Sequence, residues 1–108
     1  MVEYTLSLDS IFGSLSDPIR RDILKRVVNS EMNISEIASH YSVSLAAISK
    51  HLKILERAQL ITKRKQGKEH FVTVSPAALK QADEYLNQYQ DLWNGRFNRL
   101  DTLLNKGE

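Results

Sequence analysis

Cysteine is absent from this chain, which excludes disulfides, thiolate metal sites and redox sensing through sulfur, and suits a reducing compartment. Proline and glycine are scarce, two and four residues in 108, so the sequence is neither collagen-like nor a low-complexity disordered tract. No run approaches the roughly eighteen consecutive apolar residues of a membrane span. The opening Met1-Val2-Glu3-Tyr4-Thr5 lacks the basic start of a signal peptide, so a cytoplasmic protein without membrane contact is expected. A glycine-rich phosphate loop is missing, as is any recognisable Ser/His/Asp arrangement. Neither catalysis nor a cofactor is therefore expected.

What remains is an ordinary globular composition, 42% hydrophobic and 26% charged, at a length that predicts one domain over residues 1–108 with a modest core. The net charge is only +2, but it is unevenly placed. Within residues 44–70, Lys50, Lys53, Arg57, Lys63, Arg64, Lys65 and Lys68 face only Glu56 and Glu69. The rest of the chain is accordingly acidic. A basic stretch is more often a solvated face than a binding surface, so the charge points to nucleic acid only if the fold places it on one side.

Caps and turns divide the chain clearly. After an apolar stretch over residues 8–15, Ser16-Asp17-Pro18 reads as a helix start, with a capping side chain and then proline at the first helical position. In the helix that follows, to about Asn29, Ile19, Ile23, Leu24, Val27 and Val28 recur at three- and four-residue steps. They are expected to be buried, with Arg20, Arg21, Asp22 and Lys25 facing water. Asn33-Ile34-Ser35-Glu36 fits a capping box opening a short helix to about Tyr41. Ser42-Val43-Ser44 makes a tight turn, and Ser44 caps a longer helix to about Ala58. Two helices joined in this way form a helix-turn-helix, whose second helix enters the major groove.

On that second helix, Ala47, Ile48, His51, Leu52, Ile54, Leu55 and Ala58 share one arc, and Ala46, Ser49, Lys50, Lys53 and Arg57 the other. Leu45 lies near the border and belongs either to the reading surface or to the core. Residues 60–65 and 70–74 then read as the strands of a β-hairpin around Gln66-Gly67-Lys68-Glu69. Directly after a recognition helix this hairpin is a wing, with Lys63, Arg64, Lys65 and Lys68 at or near its tip to meet phosphates or the minor groove. The weaker alternative is that the lysines only guard an edge strand against aggregation. Finally Ser75-Pro76 starts a long helix whose Leu79, Ala82, Leu86, Tyr89, Trp93, Leu100 and Leu103 form a seam with one polar interruption at Arg96, widened by Tyr85, Leu92, Phe97 and Leu104. So much apolar surface exceeds what a small core covers, which predicts dimerisation. Gly95 costs that helix about 1 kcal/mol relative to Ala and marks a kink or a close helix contact.

The expected architecture is mainly α with a small β-hairpin, in the order α-α-α-α-β-β-α. Through Leu15-Ser16-Asp17-Pro18-Ile19-Arg20-Arg21-Asp22-Ile23-Leu24, the stretch Ile48-Ser49-Lys50-His51-Leu52 and the wing, the chain resembles the ArsR/SmtB family over nearly its whole length. The resemblance implies a homodimer joined through the first and last helices, with Leu8 and Phe12 from the first, that represses a promoter by binding an imperfect palindrome. One departure is Gln59-Leu60-Ile61, where the family has a glycine before the apolar pair; this touches the backbone at the helix end. A second is Leu45-Ala46 after the capping Ser44, where many relatives have a polar pair. Apolar side chains contact thymine methyls instead, so Leu45 and Ala46 predict an A·T-containing half-site, with Ser49 and Lys50 making polar contacts and Lys53 holding phosphate.

Many relatives sense metals, but no metal site is expected here. There is no thiolate, the last helix has Asp83, Glu84 and Asp91 without a histidine, and His40, His51 and His70 are dispersed. His51 reads as a packing or phosphate-contacting residue rather than a ligand. The inducing signal is left to a small molecule or a protein. The rival to double-stranded DNA binding is a winged-helix module used only for protein contact. Against it stands the basic arc, and salt separates the two, since only DNA binding weakens steeply as counterions are released. RNA is disfavoured because no exposed aromatic platform is apparent.

Overall fold

The computed structural model describes the backbone of residues 2–106 and the side chains of residues 8–90, 92, 94 and 95. Its elements run α1 (Val2–Ser14), α2 (Pro18–Asn29), β1 (Met32–Asn33), α3 (Ile34–Ala38), α4 (Leu45–Arg57), β2 (Ile61–Gln66), β3 (Glu69–Val74) and α5 (Pro76–Lys106). This is the expected order with one addition. Met32–Asn33 pairs antiparallel with β3, so the hairpin becomes a three-stranded sheet in the order β1-β3-β2. Two residues carry no period-2 pattern, and only the tertiary pairing of Met32 with Val72 and Asn33 with Phe71 makes them a strand.

Local chemistry sets the boundaries. Asp17 caps α2 by accepting from the Ile19 and Arg20 N–H groups at 2.8 and 3.1 Å, and Pro18 takes the first turn. The same Arg20 and Ile19 N–H groups, helped by nearby positive charge, hold the Asp17 carboxyl below its ordinary range. At α3 the capping box forms in full, with Glu36 N donating to Asn33 Oδ1 at 2.8 Å and Asn33 N to Glu36 Oε1 at 3.3 Å. The α3 helix ends at Ala38, earlier than its sequence pattern predicts. Single-turn hydrogen bonds from His40 N to Ile37 O and from Tyr41 N to Ala38 O continue its path without adding α-helix.

The α2 helix departs from the expected division into buried and wet faces. Val28 is exposed, and three of the residues expected in water, Arg20, Arg21 and Asp22, make hydrogen bonds within the fold. Asp22 Oδ2 accepts from the Tyr41 hydroxyl at 2.5 Å and from Arg26 Nε at 2.9 Å, with the Arg26 guanidinium 5.8 Å from the Tyr41 ring centre. The Tyr41 hydroxyl and the Arg26 guanidinium depress the Asp22 carboxyl, while burial and the bond to Asp22 push the Tyr41 hydroxyl up to about 12. The cluster pins the connection after α3 to α2. Arg20 is engaged as well, at the junction of α1, α2 and α4.

Ile11 of α1, Ile23 and Val27 of α2, Ile37 of α3, and Ile48, Leu52 and Leu55 of α4 fill the core together with Leu60, Ile61 and Val72 of the sheet. Ala78 and Ala82 bring the first turns of α5 onto it, with Leu79 packed alongside. Beyond them α5 leaves the core, and Leu86, Tyr89 and Leu92 are exposed. At 31 residues it is about 46 Å long. It passes Gly95 as unbroken helix, and nothing among the described residues lies within 4 Å of where a Cβ would stand there, so no close contact explains that glycine. Among the described residues no helix is long and apolar enough to cross a membrane.

The missing glycine at the end of α4 has a plain structural outcome. Gln59 itself takes the left-handed conformation, φ 61°. Leu60 N donates to Leu55 O at 3.0 Å and Gln59 N to Glu56 O at 2.9 Å, the paired bonds of a Schellman cap, while the Leu55 and Leu60 side chains are both fully buried. The motif is kept without the residue that adopts it most easily. Gln59→Gly is therefore expected to raise stability by about 0.5–1 kcal/mol, the left-handed penalty less the backbone entropy that glycine adds to the unfolded chain. Denaturant unfolding measures it; a loss of stability would show that Gln59 is not strained.

Candidate nucleic-acid interface

Ser44 Oγ accepts from Ala47 N at 3.1 Å and fixes where α4 begins. From there the 3.6-residue period does the sorting. Ile48, Leu52 and Leu55 are fully buried, while Leu45, Ala46, Ser49, Lys50 and Lys53 are exposed along the opposite arc. At 59% exposure Leu45 is not a core residue. Together with Ser49 it lines an open cleft of about 280 Å³ whose other walls are Asn33, Ile34 and Ser35 at the start of α3 and Lys68, Glu69 and His70 of the hairpin. The reading arc and the hairpin tip thus border one concavity.

The hairpin turns in two residues, with Gln66 paired to Glu69 and Gly67 at φ 65°. Its four cations do not behave alike. Lys63 pairs in register with Val72, on the same face of the sheet as the buried Ile61, and its Nζ lies 3.5 Å from Glu56 Oε1 of α4. Arg64 lies on the other face, where it donates to Glu31 Oε1 and Gln66 Oε1, both at 2.7 Å, and covers the Phe71 ring at 5.0 Å. Only Lys65 and Lys68 are exposed without an ion pair among the described residues. Strand alternation turns Lys63 toward the body, and Arg64 meets an acceptor contributed from before β1, which composition cannot reveal.

Sequence reasoning also missed Arg20. Its Nε donates to the Ser14 carbonyl at 2.6 Å and its Nη1 stands 3.1 Å from His51 Nδ1, so one guanidinium joins the end of α1 to the flank of α4. Arg21 donates to the Leu15 carbonyl at 2.8 Å. The two arginines thus satisfy carbonyls that the end of α1 leaves free. One signal was available: a histidine on the apolar arc of a helix needs a partner for its ring nitrogens. That contact makes His51 a packing residue.

Of the residues expected at a dimer surface, Leu8 is half-buried, and Phe12, Leu86 and Tyr89 are exposed. Phe12 meets Tyr85 edge-on at 5.8 Å and Tyr85 meets Tyr89 at 5.5 Å, which makes a continuous aromatic strip across α1 and α5. Trp93, Leu100 and Leu103 lie outside the described side chains.

A helix-turn-helix with an exposed, partly basic second helix and an adjoining two-stranded wing defines a winged helix-turn-helix transcriptional regulator, not an enzyme. Residues 17–63 match the family described as bacterial regulatory protein, arsR family. The chain is 32% identical over 87 residues to the arsenical resistance operon repressor of Staphylococcus xylosus, covering 81% of this chain and 80% of that one. It is 29% identical over 79 residues to the transcriptional repressor SdpR of Bacillus subtilis, covering 73% and 88%. Among solved structures, an ArsR-like transcriptional regulator from Rhodococcus sp. RHA1 superposes with a TM-score of 0.72 at 28% identity, over 92% of this chain and 93% of that one. The chain belongs to the ArsR family.

Proposed function

We propose that this regulator is a homodimeric repressor, a single unit over residues 1–108 whose long last helix dimerises. It would place one α4 in each of two successive major grooves of an imperfect palindrome. The observation that carries the reading is the outward arc of α4: Leu45, Ala46, Ser49, Lys50 and Lys53 are all exposed, and Leu45 and Ser49 share an open cleft with the uncommitted Lys68 of the wing. Lys53, Lys65 and Lys68 contact phosphates; Ser49 and Lys50 reach base edges; Leu45 and Ala46 contact thymine methyls. Ser44 positions the helix, since its hydroxyl already accepts from Ala47 N. Lys63 and Arg64 stand back from the duplex, held by Glu56 and Glu31. The repressor names of two relatives support the direction of control. Release from DNA falls to a small molecule or a protein inducer, acting in the cytoplasm.

Selection of bound duplexes from a random library tests the reading. Winners should carry two half-sites separated by about 10–10.5 base pairs, or a multiple, from centre to centre. A selection without winners would overturn it. Leu45→Gln should then cost about 1–3 kcal/mol at one A·T pair and little at half-sites lacking it. Because Leu45 is exposed, folding is expected to survive; a loss uniform across half-sites would remove the methyl contact.

A further inference from the structure

We infer that Arg20 is a positioning residue for the recognition helix, and that its hydrogen bond to neutral His51 makes operator binding weaken in acid. The inference rests on the DNA-binding reading above. Arg20 sits on α2 and grips two other elements at once, the Ser14 carbonyl ending α1 at 2.6 Å and His51 Nδ1 on α4 at 3.1 Å. The same α1 carries Phe12, which meets Tyr85 of α5 edge-on in the aromatic strip. Arg20 thus adds a polar tie between α4 and the helix that carries Phe12, beside the apolar packing of Ile48, Leu52 and Leu55 with Ile11. Such a tie matters, because groove recognition depends on where the reading residues stand.

The bond has a defined proton requirement. A guanidinium only donates, so His51 Nδ1 must be the unprotonated acceptor, and the ring proton belongs on Nε2. Protonation fills Nδ1, abolishes the bond and sets imidazolium against guanidinium. Among the described residues the charged groups near the pair include Arg57 of α4, which is exposed and lines a cleft with Ser14. From α2 come Arg20 and the Asp17 carboxylate, which is near enough to feel the His51 charge and partly offsets the repulsion. From α1 comes the Ser14 carbonyl, already taken by Arg20. The charged side chains of α3 and β2 nearest α4 are engaged elsewhere, Glu36 with Asn33 and Lys63 with Glu56. Lys50 and Lys53 of α4 lie on the opposite, exposed arc. With neutral His51 the bridge holds α4 against α1; with charged His51 it parts.

The test uses the full chain and a duplex selected from a random library by the wild-type protein. Affinities are compared at about pH 8 and about pH 5.5, which bracket the ordinary imidazole titration. Wild type should lose about tenfold more on acidification than His51→Gln, whose side-chain carbonyl accepts from Arg20 without titrating. Both proteins keep His40 and His70, so the difference isolates His51. Arg20→Ala should bind weakly at both pH values and lack the His51-dependent change. Nitrogen NMR of the free protein at about pH 8 should find His51 Nδ1 unprotonated. Equal pH profiles in wild type and His51→Gln, or a proton on Nδ1 at about pH 8, would each overturn the inference. A failure to select any duplex would instead count against the DNA-binding reading, and the ring-nitrogen result still decides the contact.

Discussion

Leu86→Glu is expected to yield a folded monomer whose affinity for a duplex bearing two half-sites falls by a factor on the order of 10²–10⁴. Leu86 is 53% exposed on the part of α5 that has left the core, so the substitution removes nothing that the protomer uses to fold. In the proposed dimer the position lies among Tyr89, Leu92 and Phe12, all exposed in the single chain. A carboxylate placed there loses its water without gaining a partner, and the charge meets its own copy across the twofold axis. Each half-site must then be bound separately, and the gain from linking the second binding event to the first is lost. Sedimentation gives the mass and titration of a single half-site gives the residual affinity. Half-site binding should be nearly unaffected, because α4 and the wing are far along the chain from the substitution. A Leu86→Glu protein that remains dimeric with full operator affinity would move the interface away from this face.

The parts of this molecule that a linear pattern encodes were legible, and the parts that depend on contact across the fold were not. Asp17-Pro18, Asn33 with Glu36, and Ser44 each act within four residues, so their capping roles could be read directly and recur in the structure. The buried stripe Ile48, Leu52 and Leu55 follows from helical period alone. Strand β1 could not be read in that way, because Met32 and Asn33 become a strand only by pairing with β3. Nor could the fate of individual charges. Lys63 and Arg64 look equivalent to Lys65 in sequence, but strand alternation puts Arg64 on the other face, and distant Glu56 and Glu31 give Lys63 and Arg64 partners that Lys65 lacks among the described residues. Arg20 and Asp22 fall on the polar side of an amphipathic pattern, which reports only that a face is not apolar; their partners Ser14, His51 and Tyr41 come from other elements. Polar bridges between elements are where periodicity has least to say.

Raising salt from about 50 to about 200 mM is expected to weaken operator binding by a factor on the order of 10³ or more, and the slope reports which cations touch phosphate. Lys50, Lys53, Lys65 and Lys68 are exposed and free of ion pairs among the described residues. If Lys53, Lys65 and Lys68 hold phosphates in both protomers, the logarithmic slope is about −5; if Lys63 and Arg64 joined them, it would approach about −9. Exposed ion pairs are individually weak, roughly 0–1 kcal/mol, so Glu56 and Glu31 do not lock these two side chains away. They do give each cation a partner already in place, and exchanging that carboxylate for a phosphate releases fewer counterions than meeting a phosphate from water. Lys65→Ala with Lys68→Ala should therefore flatten the slope by about 3 to 4 in the dimer, with losses alike across sequences. Lys63→Ala with Arg64→Ala should leave it nearly unchanged. The opposite ranking would mean that the pairs open on binding and that the wing approaches DNA with its strand rather than its turn. An affinity indifferent to salt would be incompatible with a phosphate-contacting surface, and the exposed arc of α4 would then have to meet a protein instead.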